Sequence, residues 1–198
     1  LAAVGMGALA LWASTPAAGP ELVVGLAPVM DREPYLLAHE PLREHLEDSL
    51  HRPVELLAYD SYDALGQALR RGELGLAALP PTLYIRVKER EPELRILATK
   101  EVDGGTGVSG VLLVQEDSQI KALEQLPGNA ICLTDLNSTT GWNLPRAYLA
   151  AEGIDLEADL TVVRSGNHLQ AITDLLNGRC EVAATYQDAV RGASTQGL

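Results

Sequence analysis

From Glu21 onward, short apolar runs alternate with longer segments in which apolar residues recur every three or four positions, the alternation of buried strands with amphipathic helices. "LVVGLAP" predicts a strand, "YLLAHEPLREHLEDSL" a helix that starts or breaks at Pro41, and "VELLAY" a second strand. "SYDALGQALRRG" predicts a helix capped by Ser61, with Leu65, Ala68 and Leu69 on one face and Gly72 as its stop. Strand "LGLAALP", helix "PTLYIRVKER" and strands "LRILATK" and "VSGVLLVQ" follow, then a short helix in "DSQIKALEQLPG". A second series runs strand "AICLT", helix "LPRAYLAAEG", strand "LTVVRS", helix "NHLQAITDLLNG", strand "EVAATY" and helix "QDAVRG". Repeated βα units of this kind imply an α/β fold with mostly parallel sheets. The two series predict two lobes, 21–113 and 114–198, with the crossing near Leu112 to Glu116.

Composition narrows the function more than the fold. The 198 residues, 46% hydrophobic and 21% charged, suit an ordinary globular chain. The net charge of -12 argues against nucleic acid, whose phosphates it would repel. Residues 1–18, "LAAVGMGALALWASTPAA", are apolar, small and uncharged, as in the remnant of a signal peptide or a membrane anchor; either reading puts the rest of the chain outside the cytoplasm. A membrane contact is expected only through such an anchor. The cysteines, Cys132 and Cys180, each at or beside the start of a predicted strand, are expected as buried free thiols, with a disulfide across neighbouring strands as the alternative, since a bridge demands a separation and direction that spacing does not supply. Two cysteines and four scattered histidines make no zinc site, and no cofactor is expected.

Candidate chemistry lies where parallel strands end, because ligands sit outside the C-terminal edge of such sheets, facing helix N-termini. Three joints fall there: "NSTTG", "SGNH" and "TYQD". They bring Ser138, Thr139, Thr140, Asn167, His168, Tyr186 and Asp188 toward one edge. Hydroxyls and free N–H groups at a helix start form an anion cradle without fixed charge, and Gly141 lets the backbone come close. Pro145 means that the following helix is kinked or begins near Leu144. At the start of its helix, His168 is expected neutral and donating one hydrogen bond.

"NSTTG" followed by a proline, then "SGNH", then "NGRCEVAATYQDAV" resembles the substrate-binding proteins of phosphate/phosphonate-type ABC transporters, and the likeness spans about residues 22–190. The resemblance implies a two-lobed fold of the type II periplasmic-binding-protein kind. It also implies that Ser138, Thr139, Thr140 and His168 hold an oxyanion, and that Tyr62 contacts it from the first lobe. Three departures stand out. Val108 occupies a position that is often aromatic, Asp188 is the one match for a ligand-selecting acid, and the chain stops before the segment that returns to the first lobe, which leaves that lobe truncated.

The function implied is extracytoplasmic capture of phosphate, phosphite or a phosphonate, without catalysis, for an ABC transporter permease. An N-terminal anchor would make the alternative a ligand-sensing domain with a signalling partner. A hydrolase using Ser138, His168 and Asp188 is a third reading, although no "GxSxG" elbow is present.

Overall fold

The computed structural model describes residues 19–101 and 105–195, so the expected signal or anchor at 1–18 lies outside the described residues. The first lobe contains β1 (Leu22–Leu26), α1 (Arg32–Leu50), β2 (Val54–Ala58), α2 (Tyr62–Arg70), β3 (Leu76–Ala78) and α3 (Pro81–Lys88). Its sheet has the order β2-β1-β3, parallel throughout. The central strand β1 buries Leu22, Val24 and Leu26, as a strand between two helical layers must. Ser61 caps α2 by accepting the Ala64 N–H at 3.1 Å, Leu65 and Ala68 are buried, and Gly72 ends the segment in the left-handed region at φ 72°, as its sequence predicts.

The second lobe contains β4 (Gly110–Leu113), β5 (Ala130–Thr134), α4 (Leu144–Ala151), β6 (Thr161–Gly166), α5 (His168–Leu176), β7 (Val182–Tyr186) and α6 (Ala189–Thr195). The sheet order is β4-β7-β5-β6, with β4 antiparallel to β7 and the other pairs parallel. Its core lies between the sheet and α4, around Ile131, Leu133, Leu149 and Val182.

Four expectations change. The lobe division at 113/114 is displaced, because Gly110–Leu113 already pairs with β7 and the crossing therefore precedes Gly110. An apolar run reads the same whichever sheet it joins. The strand expected in "LRILATK" does not form, and Ile96 and Leu97 stand 62% and 75% exposed. A strand needs a neighbour's ladder for its backbone groups, and among the described residues the first sheet ends at β3. Within "DSQIKALEQLPG" only a 3₁₀ turn, Leu123–Gln125, forms, since the Gln125 side chain accepts the Lys121 and Ala122 N–H groups locally. Finally, α1 runs through Pro41 without stopping: Pro41 and Leu37 are both exposed, so the Leu37 carbonyl that the proline leaves without its helical donor can bond to water.

The cysteines also depart from expectation, forming a disulfide with Cα atoms 5.7 Å apart. The cause is strand order. β7 lies beside β5, Cys132 pairs in register with Ala183, and Cys180 in the approach to β7 comes alongside. Both sulfurs are covered by Ala171 and Leu175 of α5. The bridge spans 48 positions and encloses two of the three candidate joints, "NSTTG" and "SGNH", and loop-closure entropy assigns such a loop about 4 kcal/mol. Reduction, or the double replacement of Cys132 and Cys180 by Ala, is expected to cost about 2–4 kcal/mol and to lower Tm by about 4–16 °C in a calorimetric scan. An unchanged Tm after complete reduction would contradict the bridge.

Candidate functional site

The turn after β5 is built by its own side chains. Asp135 accepts the Asn137 N–H on Oδ1 at 2.7 Å and the Ser138 N–H on its carbonyl at 2.9 Å. Ser138 then caps a single π-helical turn, Thr139–Asn143, its Oγ accepting the Gly141 N–H at 3.1 Å. That turn answers the question raised by Pro145: the π turn comes first, and α4 starts at Leu144 with the proline in its first turn, where no helical donor is required. Arg164 of β6 lies 5.2 Å from the ring centre of buried Trp142, which fixes the far side of the turn. Gly141 is required by packing as well, because a Cβ there would stand 2.0 Å from Thr134 Oγ1. Thr140 is buried beside it, against Gly110 of β4.

His168 draws the second and third joints to the first. Its Nε2 lies 3.2 Å from Ser138 Oγ and its Nδ1 lies 3.0 Å from Thr185 Oγ1. The imidazole is 4% exposed, and burial pulls its pKa down to about 4. It is therefore neutral at neutral pH and carries one donor hydrogen, with the tautomer set by which hydroxyl donates. Tyr186 packs edge-on against it, with ring centres 5.0 Å apart. Burial pushes the Tyr186 phenol up, reinforced by the nearby Asp188 carboxylate. Asn167 caps α5, its Oδ1 accepting the Gln170 N–H at 2.8 Å. Asp188 is not joined to His168; it accepts from Arg191 at 2.7 Å. The position that an orienting acid would hold in a hydrolase triad is occupied by the neutral hydroxyl of Thr185.

The first lobe closes the arrangement. Tyr62, at the start of α2, is buried with its hydroxyl bonded to Ser138, and burial raises its pKa well above the ordinary phenol value. Thr139 Oγ1 accepts the Thr82 N–H at 3.0 Å and lies 3.0 Å from the Thr82 hydroxyl, at the N-terminus of α3. Asn137, 4% exposed, joins both helices: it accepts from Arg86 of α3 and donates from Nδ2 to Asp63 of α2 at 3.1 Å.

The structure thus brings Ser138, Thr139, His168, Tyr62 and Tyr186 together. Asn167 serves as a cap and Asp188 is engaged elsewhere. Sequence reasoning missed Thr82, Arg86, Asn137 and Thr185. The edge rule applied to the second lobe would have found Thr82 in "LPPTLY" if carried to the end of β3, and Thr185 is the lone hydroxyl in "VAAT". Asn137 and Arg86 carry no such signal, since their partners lie on other elements. Among the described residues, no group of three or more His, Cys, Asp or Glu side chains gathers to hold a metal ion.

A family model described as the periplasmic phosphonate substrate-binding protein of ABC transporters matches residues 24–198. Phosphate-import protein PhnD of Mycolicibacterium smegmatis is 25% identical over 189 residues, covering 89% of this chain and 59% of that protein. In fold, the chain is similar to PhnD1 of Prochlorococcus marinus in complex with methylphosphonate, with a TM-score of 0.79 at 18% identity, covering 87% of this chain and 65% of that one. It is equally similar to a binding-protein component of a Pseudomonas aeruginosa ABC phosphonate transporter, with a TM-score of 0.79 at 17% identity, covering 90% and 61%. The chain spans about three fifths of the length of these relatives.

The buried imidazole makes stability depend on acid. A histidine whose pKa falls from the ordinary 6.5 to about 4 on folding takes up its proton more readily when unfolded, so stability is complete above pH 6.5 and declines as pH falls toward 4. The full decline corresponds to about 3 kcal/mol. Denaturant midpoints measured at pH 7 and pH 4.5 should separate less in His168→Gln than in the parent; equal separations would show that His168 is not buried neutral.

Proposed function

The chain belongs to the family of periplasmic phosphonate substrate-binding proteins of ABC transporters, and we propose that it captures a small phosphorus oxyanion, whether phosphate, phosphite or phosphonate, for delivery to a permease. The periplasmic family and the disulfide both fit a place outside the cytoplasm. The observation that carries the reading is the meeting of uncharged donors from both lobes. The Ser138 and Thr139 hydroxyls and the neutral His168 come from the second lobe, and the Tyr62 hydroxyl and the Thr82 N–H and hydroxyl come from the first. Oriented N–H and O–H groups hold a tetrahedral anion at short range, where surface charge more than a Debye length away has little influence, so the net charge of -12 is no obstacle.

Closure supplies the mechanism. The Thr139 hydroxyl binds Thr82, and that of Ser138 is shared with His168 and Tyr62. An arriving anion takes over these donors one for one, so the cost of drying them has already been met when the lobes close. No step of bond breaking is required, and the geometry gives Ser138 no acid-backed base.

A thermal-shift series with inorganic phosphate, phosphite and methylphosphonate tests the capture. Ligand at a hundredfold its Kd is expected to stabilise by about 2.7 kcal/mol. By calorimetry, Thr139→Val, which keeps shape and deletes a hydroxyl, is expected to weaken binding by about 1.5–3 kcal/mol. Indifference to all three anions would sink the reading, and turnover of a phosphomonoester that Ser138→Ala abolishes would replace it with the hydrolase.

A further inference from the structure

Tyr62, Ser138, His168 and Thr185 form one chain of hydrogen bonds, and its two ends decide the direction in which it runs. The Tyr62 hydroxyl meets Ser138 across the lobes, Ser138 Oγ lies 3.2 Å from His168 Nε2, and Nδ1 of the ring lies 3.0 Å from Thr185 Oγ1. With the imidazole neutral, each of the four groups carries one polar hydrogen, while the chain has three links, so one hydrogen is left over at one end. Ser138 Oγ also accepts the Gly141 N–H, which fills its remaining lone pair whichever way the chain runs. Thr185, opposite Val111 of β4, is fully buried, and among the described residues its hydroxyl bonds to Nδ1 and to nothing else. A surplus hydrogen there would bear the whole cost of a buried donor without a partner. Tyr62 is buried too, but it stands at the junction of the lobes, where the Asp135 carboxylate lies near enough to raise its pKa and favours a hydrogen over a lone pair.

We propose that Thr185 is a positioning residue of the anion site: by donating its hydroxyl hydrogen to Nδ1, it holds His168 as the Nε2–H tautomer and sets the chain running from Thr185 toward Tyr62; this rests on the oxyanion reading above. In that direction Nε2–H, the Ser138 hydroxyl and the Tyr62 hydroxyl all present hydrogens to an arriving oxyanion. In the opposite direction Ser138 would commit its hydrogen to the ring, and a bare Nε2 would turn its lone pair on the anion. Thr185 itself stays behind the ring, in β7, and acts only through it.

Long-range proton–nitrogen correlation spectra of the protein labelled in its histidines read the tautomer directly, with His168→Gln identifying the His168 signals. Nε2 is expected to be protonated and Nδ1 bare, both in the free protein and with inorganic phosphate, phosphite or methylphosphonate added. Calorimetry with whichever of these anions binds most tightly reads the consequence. Thr185→Val, which keeps the shape and loses the hydroxyl, is expected to weaken binding at least about tenfold, and Thr185→Ser, which keeps the hydroxyl and loses the methyl, by less than about threefold. A role confined to packing predicts the reverse order. Protonated Nδ1 in the parent, or Thr185→Val binding as tightly as the parent or as Thr185→Ser, overturns the proposal; where a variant does not fold, the parent's spectrum decides alone. Failure of all three anions to bind the parent removes the oxyanion reading and the role of Thr185 in it, while the spectrum still fixes the direction of the chain.

Discussion

A single buried imidazole holds the candidate site together. His168 accepts or donates at both ring nitrogens, toward Ser138 after β5 and toward Thr185 in β7, while its own backbone opens α5 after β6. Three strand ends that are far apart in sequence are thereby locked to one geometry. A ring buried this deeply tolerates no unpaired nitrogen, so each hydroxyl it meets is held in place in return. The disulfide acts on the same region from below, joining β5 to the start of β7 so that the strands carrying Ser138 and Thr185 cannot separate. Rigidity of this kind suits a site that works by presenting donors already in position.

The contact between lobes is of a different character. Among the described residues it includes polar pairs, Thr82 with Thr139 and the Arg86–Asn137–Asp63 chain. Polar pairs of this kind contribute only about 0.5–1.5 kcal/mol each, more where a charge takes part, so they can hold a closed arrangement and still release it. Asn137 is the joint of that contact: its N–H is fixed by Asp135, while its side chain reaches both helices of the first lobe. The hydroxyls proposed to hold the anion and the residues that bring the lobes together are therefore neighbours in one turn, "DLNSTT". In the proposed function, capture and closure are thus parts of one local structure.

Much of this was legible in the amino-acid order. The βα alternation, the cap at Ser61 and the convergence of the three turns follow from periodicity, side-chain oxygens and the parallel-sheet rule, all of which are local or topological. The neutral state expected of His168 also follows, although burial rather than the helix terminus is what depresses its pKa. The roles of particular residues were less legible. Gly141 was read as a means of ligand approach, and that its missing Cβ also leaves the space Thr134 occupies was not visible in the sequence. Asp188 looked available and is held by Arg191.

What the sequence determined by itself was therefore the class of fold, the order of elements and the turns that carry chemistry, because these depend on contacts a few residues apart and on alternation along the chain. Only the tertiary structure decided which strands became neighbours. The order β4-β7-β5-β6 joined Cys132 to Cys180, moved Gly110–Leu113 into the second sheet and set Thr185 beside His168. It also decided which first-lobe atoms meet "NSTT", where Thr82, Arg86 and Asp63 lie 57, 51 and 74 positions from their partners. Pairings at such separations leave no periodic trace in the chain, because each is fixed by the packing of whole elements rather than by the residues on either side.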